Sequence, residues 1–252
     1  MKIYEDKFTG KSKLYNAYRP PYPPLLTDYL YSEAGLTRDS VVADIGSGTG
    51  IFSSLLAAKG STVLCVEPNN DMMKVAKSAL EHLPNCSFIN APAENTGIKS
   101  GSADFVTAAQ SFHWFDSSAF KAECGRILAP KGKAILLWNR IINSSSLALE
   151  THRINKMLCP EYTGASGGLK ENSGIFESFF KNGVYTHAEF ENNISLDEEC
   201  FVGRNLSSSF APKEGDDTYC AYTEQMKLLF NKHSRNGSLL LPMTCRVYWG
   251  EV

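Results

Sequence analysis

The stretch Val41-Val42-Ala43-Asp44-Ile45-Gly46-Ser47-Gly48-Thr49-Gly50 is an apolar run that ends in an acid and then places a glycine at every second position. It reads as a strand feeding a ligand-binding turn, because glycine lets the backbone take positive φ and approach a ligand closely. Ile51, Leu55 and Ala58 follow at helical spacing and Gly60 stops them, so a helix is expected directly after the turn. Strand, glycine turn and helix make the first half of a nucleotide-binding α/β unit.

The spacing chooses among nucleotides. A dinucleotide fingerprint, G-x-G-x-x-G, would put its third glycine at position 51, which is Ile; the third glycine is instead Gly50. That disfavours a nicotinamide-dependent oxidoreductase. The next apolar run, Ser61 to Val66, ends in Glu67, about where an acid meets ribose hydroxyls in such a unit. A short strand from Cys86 to Asn90 leads into Ala91-Pro92-Ala93-Glu94, and a further strand from Ser102 runs into Gln110-Ser111-Phe112-His113-Trp114-Phe115. Near Arg126 a helix ends, Pro130-Lys131-Gly132 turns the chain, and the apolar run to Trp138 makes a fifth strand. Ligands of open α/β sheets collect outside the carboxyl ends of the strands, so Gln110 to Phe115 should face the reacting groups.

An acid ahead of alternating glycines and a second acid ending the next strand resemble the class I S-adenosylmethionine-dependent methyltransferases. Glu67-Pro68-Asn69-Asn70-Asp71-Met72 is similar to that family's acid-Pro-Ser-x-x-Met pattern, with Asn69 in place of the small hydroxyl residue. Ala91-Pro92-Ala93-Glu94 looks like the loop that borders the adenine. Gln110 to Phe115 is similar to the string of the small-molecule branch, the type 11 domain group that includes trans-aconitate-like methyltransferases. Amino-methyltransferases of DNA and of some proteins carry Asp or Asn and then Pro-Pro-Tyr there, whereas Pro20-Pro21-Tyr22 of this chain lies upstream of the first strand. Tyr15 to Pro23 resembles the branch's opening segment over the methionine part of the cofactor. Leu128-Ala129-Pro130-Lys131-Gly132 resembles its Leu-x-Pro-Gly-Gly turn, with Lys131 for the first glycine. The resemblance covers about residues 10 to 140.

What it implies is an α/β protein with a doubly wound, mostly parallel, seven-stranded Rossmann-like sheet, an antiparallel last strand and a small helical cap. S-adenosyl-L-methionine is the implied cofactor, and a small molecule accepts the methyl group at a carboxylate, hydroxyl or amine. At the cofactor the resemblance puts Tyr18, Arg19, Asp44, Gly46, Ser47, Gly48, Gly50, Glu67, Pro68, Met72, Ala93, Glu94, Gln110 and Ser111. Asp44 would face the amino end through the glycine-loop amides, and Glu67 would accept from both ribose hydroxyls. Met72 would pack on the adenine, although Met is also a common core filler. The planar fork of Arg19 matches the cofactor carboxylate, the alternative being an arginine solvated before a rigid Pro pair. Tyr15, Trp114, Phe115, Trp138 and Asn139 are the acceptor-pocket candidates, and aromatics at strand ends serve cores as readily. His113 is the candidate catalytic residue, a general base if the acceptor must lose a proton, or a histidine that bonds backbone and shapes its loop. The competing reading is a protein that binds the cofactor without catalysis.

With 25 basic and 27 acidic residues in 252, the net charge is -2, and the absence of a Lys/Arg block gives nucleic acid no support as a partner. Seven cysteines without a C-x-x-C pair, and five scattered histidines, point to reduced thiols in a cytoplasmic protein and to no metal. The opening Met1 to Lys7 is polar and lacks a signal-peptide core, and no run approaches membrane-spanning length. Oligomeric state is not legible. One domain is expected: residues 1–35 as lid and first helix, 36–140 as cofactor-binding core, 141–183 as cap, and 184–252 as strands and a helix completing the sheet. Within the last two parts, helices are expected over Leu147 to Cys159 and Asp217 to His233, strands over Val184 to Phe190 and Leu239 to Val252, and a Gly-rich connection over Gly164 to Gly168. Pro242 weakens the start of the last strand.

Overall fold

Parallel strands covered on both faces carry near-continuous apolar runs, and β1 (Val41–Ile45) is buried at every residue but the first. In the computed structural model, which describes residues 9–142, 144–164 and 174–252, β1 is an interior strand of a sheet. It pairs in parallel with β2 (Thr62–Val66) from Val41↔Thr62 to Ile45↔Val66, and with β4 (Ala103–Ala109) from Val42↔Phe105 to Asp44↔Thr107. β3 (Cys86–Ile89) extends the β2 edge, and β5 (Leu128–Ile141) pairs with β4 from Phe105↔Lys133 to Ala109↔Leu137. β9 (Met243–Gly250) runs antiparallel to β5, and β6 (Thr186–Glu191) antiparallel to β9. The order β3-β2-β1-β4-β5-β9-β6 is the expected seven-stranded sheet, with its single antiparallel strand inserted beside β5.

Alternation along the strands divides the core between two faces. Ala43, Ile45, Val106, Leu136 and Trp138 face one side, covered by α5 (Ser117–Ile127) and α7 (Ile175–Phe179). Val42, Val63, Ile135, Leu137 and Val247 face the other, covered by α2 (Pro24–Tyr29), the π-helical turn Leu30–Ala34 that prolongs it, and α3 (Ile51–Ala58). α4 (Asn70–Ala79) follows β2, with the Asn69 side chain accepting from the backbone N–H groups of Asp71 and Met72 at 3.0 Å.

A third apolar cluster lies apart from the sheet. It joins α6 (Ser146–Leu158), α8 (Glu198–Leu206), α9 (Tyr219–His233) and a two-stranded sheet of β7 (Ile194–Leu196) and β8 (Leu239–Leu241). The structure departs from the sequence reading here in three ways. The strand expected over Leu239 to Val252 is broken at Pro242, which has no N–H for a ladder; β8 pairs away with β7, and β9 starts at Met243. The helix expected to complete the sheet, α9, buries Tyr222, Met226, Leu229 and Phe230 against the cap helices instead. Conversely α7, from the segment expected in the cap, joins the main sheet: Phe176 stacks on Tyr248 at 4.1 Å, and Phe179 on Phe120 at 5.7 Å. Its aromatic face needs the broad apolar surface that only the sheet offers. Met1 to Phe8, Gly-rich positions 165–168 and the start of the Ser173 segment lie outside the described residues. Among the described residues no helix is long and apolar enough to cross a membrane.

Candidate active site

The turn after β1 is built by backbone that only glycine takes without strain. Gly46, Gly48 and Gly50 have φ of 67°, 58° and 83°. A Cβ at Gly46 would stand 2.6 Å from that of Ser111, and one at Gly50 2.7 Å from Leu80, so both are fixed by packing. A Cβ at Gly48 would meet nothing within 4 Å, and Gly48 lines a cavity. The Gly48 N–H donates to Glu67 Oε2 at 2.9 Å, and the Asn69 N–H to Glu67 Oε1 at 2.8 Å, which holds the carboxylate at the end of β2 against the turn. Gly46 and Ser47 N–H groups donate to the Val66 carbonyl, tying the two strand ends together.

Asp44 lies beneath this turn. Its oxygens accept from Ser53 Oγ at 2.5 Å and Thr107 Oγ1 at 2.7 Å, and complete burial pushes its carboxyl up to about 6 despite those two bonds. It ties β1 to α3 and β4 and does not line the cavity itself; the sequence had suggested that it faces a ligand's amino end through the glycine-loop amides.

The segment ahead of β1 crosses the mouth of the cavity. α1 (Ser12–Tyr18) packs on α8, and the Lys11 ammonium, 2% exposed, donates to the Ser208 and Ala211 carbonyls at 2.7 and 2.5 Å. Burial holds that ammonium down at about 8. On the other side Gly10 N–H reaches Asp71 and Asn69 Nδ2 reaches Thr9 Oγ1, so the segment spans from α4 to the cap. Tyr15 and Arg19 line the cavity with the guanidinium 4.6 Å over the Tyr15 ring, and Arg19 Nη2 donates to the Ser207 carbonyl. The Nε atoms of Arg19 and of Arg204, on α8, are buried without a partner among the described residues. Burial, then the Arg19 charge, holds the Arg204 guanidinium down at about 10. Tyr18 turns away from the cavity: its hydroxyl donates to Glu199 at 2.8 Å and its ring packs on Gly203, where a Cβ would come within 2.5 Å.

At the carboxyl ends of β4 and β5, Gln110 takes a left-handed φ of 60° and donates through Nε2 to the Asn139 carbonyl. Asn139 Nδ2 donates to the Pro20 and Pro21 carbonyls, and Asn192 Nδ2 to Asn139 Oδ1, pinning the proline turn of the opening segment. Ser111 Oγ donates to the Ile45 carbonyl at 2.7 Å. His113, Trp114 and Phe115 reach the cavity, whereas Trp138 is buried behind them, its indole N–H donating to His113 Nδ1 at 3.3 Å. Burial first, then the Arg19 and Arg140 charges, holds the His113 imidazole down at about 3.

These groups enclose a cavity of about 440 Å3, within the range of small-molecule sites. Of the residues expected at the cofactor or acceptor, Tyr15, Arg19, Gly46, Ser47, Gly48, Glu67, Pro68, Met72, Ala93, Glu94, Gln110, Ser111, His113, Trp114, Phe115 and Asn139 line it; Tyr18, Asp44, Gly50 and Trp138 do not. Tyr22, Thr49 and Phe52 line it without having been singled out. Tyr22 lay inside a quoted motif and Thr49 between two quoted glycines, but Phe52 has only the helical spacing of an ordinary core residue. Two hydroxyls on the wall, Ser47 Oγ and Thr49 Oγ1, are buried and lack a partner among the described residues. No cluster of three His, Cys, Asp or Glu that would hold a metal ion occurs among those residues.

The family model for a methyltransferase domain matches residues 43–136, the span from β1 into β5 that carries most of this wall. Over that span the chain resembles S-adenosylmethionine-dependent methyltransferase domains. Similar relatives include an uncharacterized methyltransferase of Mycobacterium tuberculosis, 34% identical over 125 residues, covering 50% of this chain and 49% of that one. An uncharacterized methyltransferase of Schizosaccharomyces pombe is 30% identical over 131 residues, covering 52% and 51%. The chain thus spans about half the length of the curated relatives it matches. Among solved structures, a candidate type II methyltransferase of Anaeromyxobacter dehalogenans superposes with a TM-score of 0.66 at 23% identity, covering 93% of this chain and 98% of that one. At that identity the likeness is one of fold, and the fold is that of the methyltransferase domain.

Proposed function

We propose that the protein binds S-adenosylmethionine in this cavity and transfers its methyl group to a small-molecule acceptor. The observation that carries the reading is Glu67 joined to the Gly48 amide at the cavity wall, with open space over Gly48 and two unpartnered hydroxyls, Ser47 and Thr49, beside it. These residues suit the group: a carboxylate for the ribose hydroxyls, the Met72 and Ala93 side chains for the adenine, and Arg19 for the methionine carboxylate. When bound, the cofactor would supply an electrophilic methyl group, whose bond to sulfur breaks as the acceptor's lone pair bonds to the carbon in line, leaving S-adenosylhomocysteine.

The protein's part is to hold the acceptor and keep water away. Positioning of this kind contributes roughly 7–11 kcal/mol in favourable cases. Tyr15, His113, Trp114 and Phe115 wall the volume left beyond the glycine turn, and the opening segment closes it against the cap. A cavity roofed in this way suits a small acceptor.

Calorimetry with S-adenosylhomocysteine and with NADH tests the cofactor; heat from the first and none from the second is expected. Incubation with methyl-labelled cofactor and a metabolite extract tests the acceptor, and label should appear on a small product. Tight NADH binding without heat from S-adenosylhomocysteine would overturn the cofactor assignment. Label that stays on the cofactor would leave a binding protein.

A further inference from the structure

His113 stands at the acceptor end of the cavity, and what it does depends on which ring nitrogen carries the proton. Trp138 settles that. Its indole N–H can only donate, and it donates to His113 Nδ1 at 3.3 Å, so Nδ1 must present its lone pair. A neutral imidazole with an accepting Nδ1 carries its proton on Nε2. Trp138 is itself immobile, 1% exposed and packed against the rings of Phe112, Phe176 and Tyr248 at 5.9 to 6.2 Å. Nε2 has no hydrogen-bond partner among the described residues and is not among the sealed, unsatisfied atoms, while the ring forms part of the cavity wall.

A general base needs a free lone pair facing its proton, and the one lone pair of this ring is spent on Trp138. Protonating Nδ1 would set two N–H groups against each other. It would also add a cation to the fields of Arg19, beyond α1, and Arg140, in β5, with no carboxylate among the described residues hydrogen-bonded to the ring.

We propose that His113 is a hydrogen-bond donor whose tautomer Trp138 fixes, and that its Nε2–H binds a lone pair of the acceptor. This rests on the methyl-transfer reading of the cavity. It restricts the acceptor to one whose attacking atom is already a free lone pair at the working pH, since no proton passes to the imidazole.

Nitrogen-resolved NMR of histidine-labelled protein, with His113→Gln to assign the signal, reads the ring directly. The expected signature is a neutral ring with the proton on Nε2, unchanged between about pH 5 and 9, where an ordinary histidine titrates. In Trp138→Phe the signal should change, with the ring sampling both tautomers. An Nδ1–H signature, or titration near the ordinary value, would overturn the proposal. These spectra need no methyl transfer, so they decide the ring's state even if that reading fails. In turnover, His113→Gln keeps a donor without a base and should stay within roughly threefold of the native kcat/KM, while His113→Ala should lose about tenfold or more. Equal losses of roughly 10²-fold in both, with an acid limb in the native pH profile, would make His113 a base after all.

Discussion

Glu67 is held at once by the turn after β1 and by the start of α4, through the Gly48 and Asn69 amides. Its carboxylate is thus oriented before any ligand arrives. Glu67→Ala should weaken S-adenosylhomocysteine binding by about 1–3 kcal/mol, the scale of a lost bond to a charged group, and calorimetry on the folded variant measures it. An unchanged dissociation constant would remove Glu67 from the site. Asp44 behaves differently, because its burial raises the carboxyl to about 6, above its value in an unfolded chain. A raised carboxyl contributes stability that is fully present below the unfolded value near pH 4 and is lost as pH rises through about 6. Relative to Asp44→Asn, the native protein should therefore lose Tm between pH 4 and pH 6 and hold a constant difference above that. Paired thermal melts across this range give the comparison. A difference that grows in the opposite direction would mean that Asp44 is stabilised as the anion.

The β1–α3 turn separates two demands that look alike in sequence. Gly46→Ala adds a clash with Ser111 to the cost of a left-handed φ, about 1–2 kcal/mol, whereas Gly48→Ala meets open space and carries the backbone cost alone. Gly46→Ala should lower Tm more, and Gly48→Ala should cost more ligand affinity; melts and calorimetry on both variants check the crossing. The elements from β1 to β5 were legible because each strand is an apolar run bounded by turn residues. α8 was not, since Glu198, Glu199, Arg204 and Asn205 interrupt its apolar face. Within the site, strand ends were legible but facing was not. Trp138 and Asn139 are neighbours in β5 and so point oppositely, one into the core with Phe176 and the other to the proline turn. Asp44 and Tyr18 lie off the cavity wall for the same reason, because a motif fixes the position of a residue along the chain and only packing decides what it touches.

Across the whole molecule, the opening segment touches α4 through Thr9 and Gly10, β5 through Pro20 and Pro21, α8 through Tyr18, and the turn after α8 through Lys11. A ligand beneath it should raise the free energy of its local opening. S-adenosylhomocysteine should slow hydrogen exchange over residues 12–22, and equal exchange with and without ligand would make the segment a fixed arm. The insertion of β9 has a consequence for how the chain acquires its structure. β5 gains its second neighbour only from residues 243–250, with Ala134 opposite Gly250. A nascent chain that has emerged through Ile141 therefore carries a long apolar strand whose outer edge is unpaired, the template on which other chains associate. Closing that distance costs loop entropy before any ladder bond forms, which places this protein among slow folders. Its refolding yield should fall steeply with concentration, and a chaperone that shields a single strand edge would relieve most of the loss.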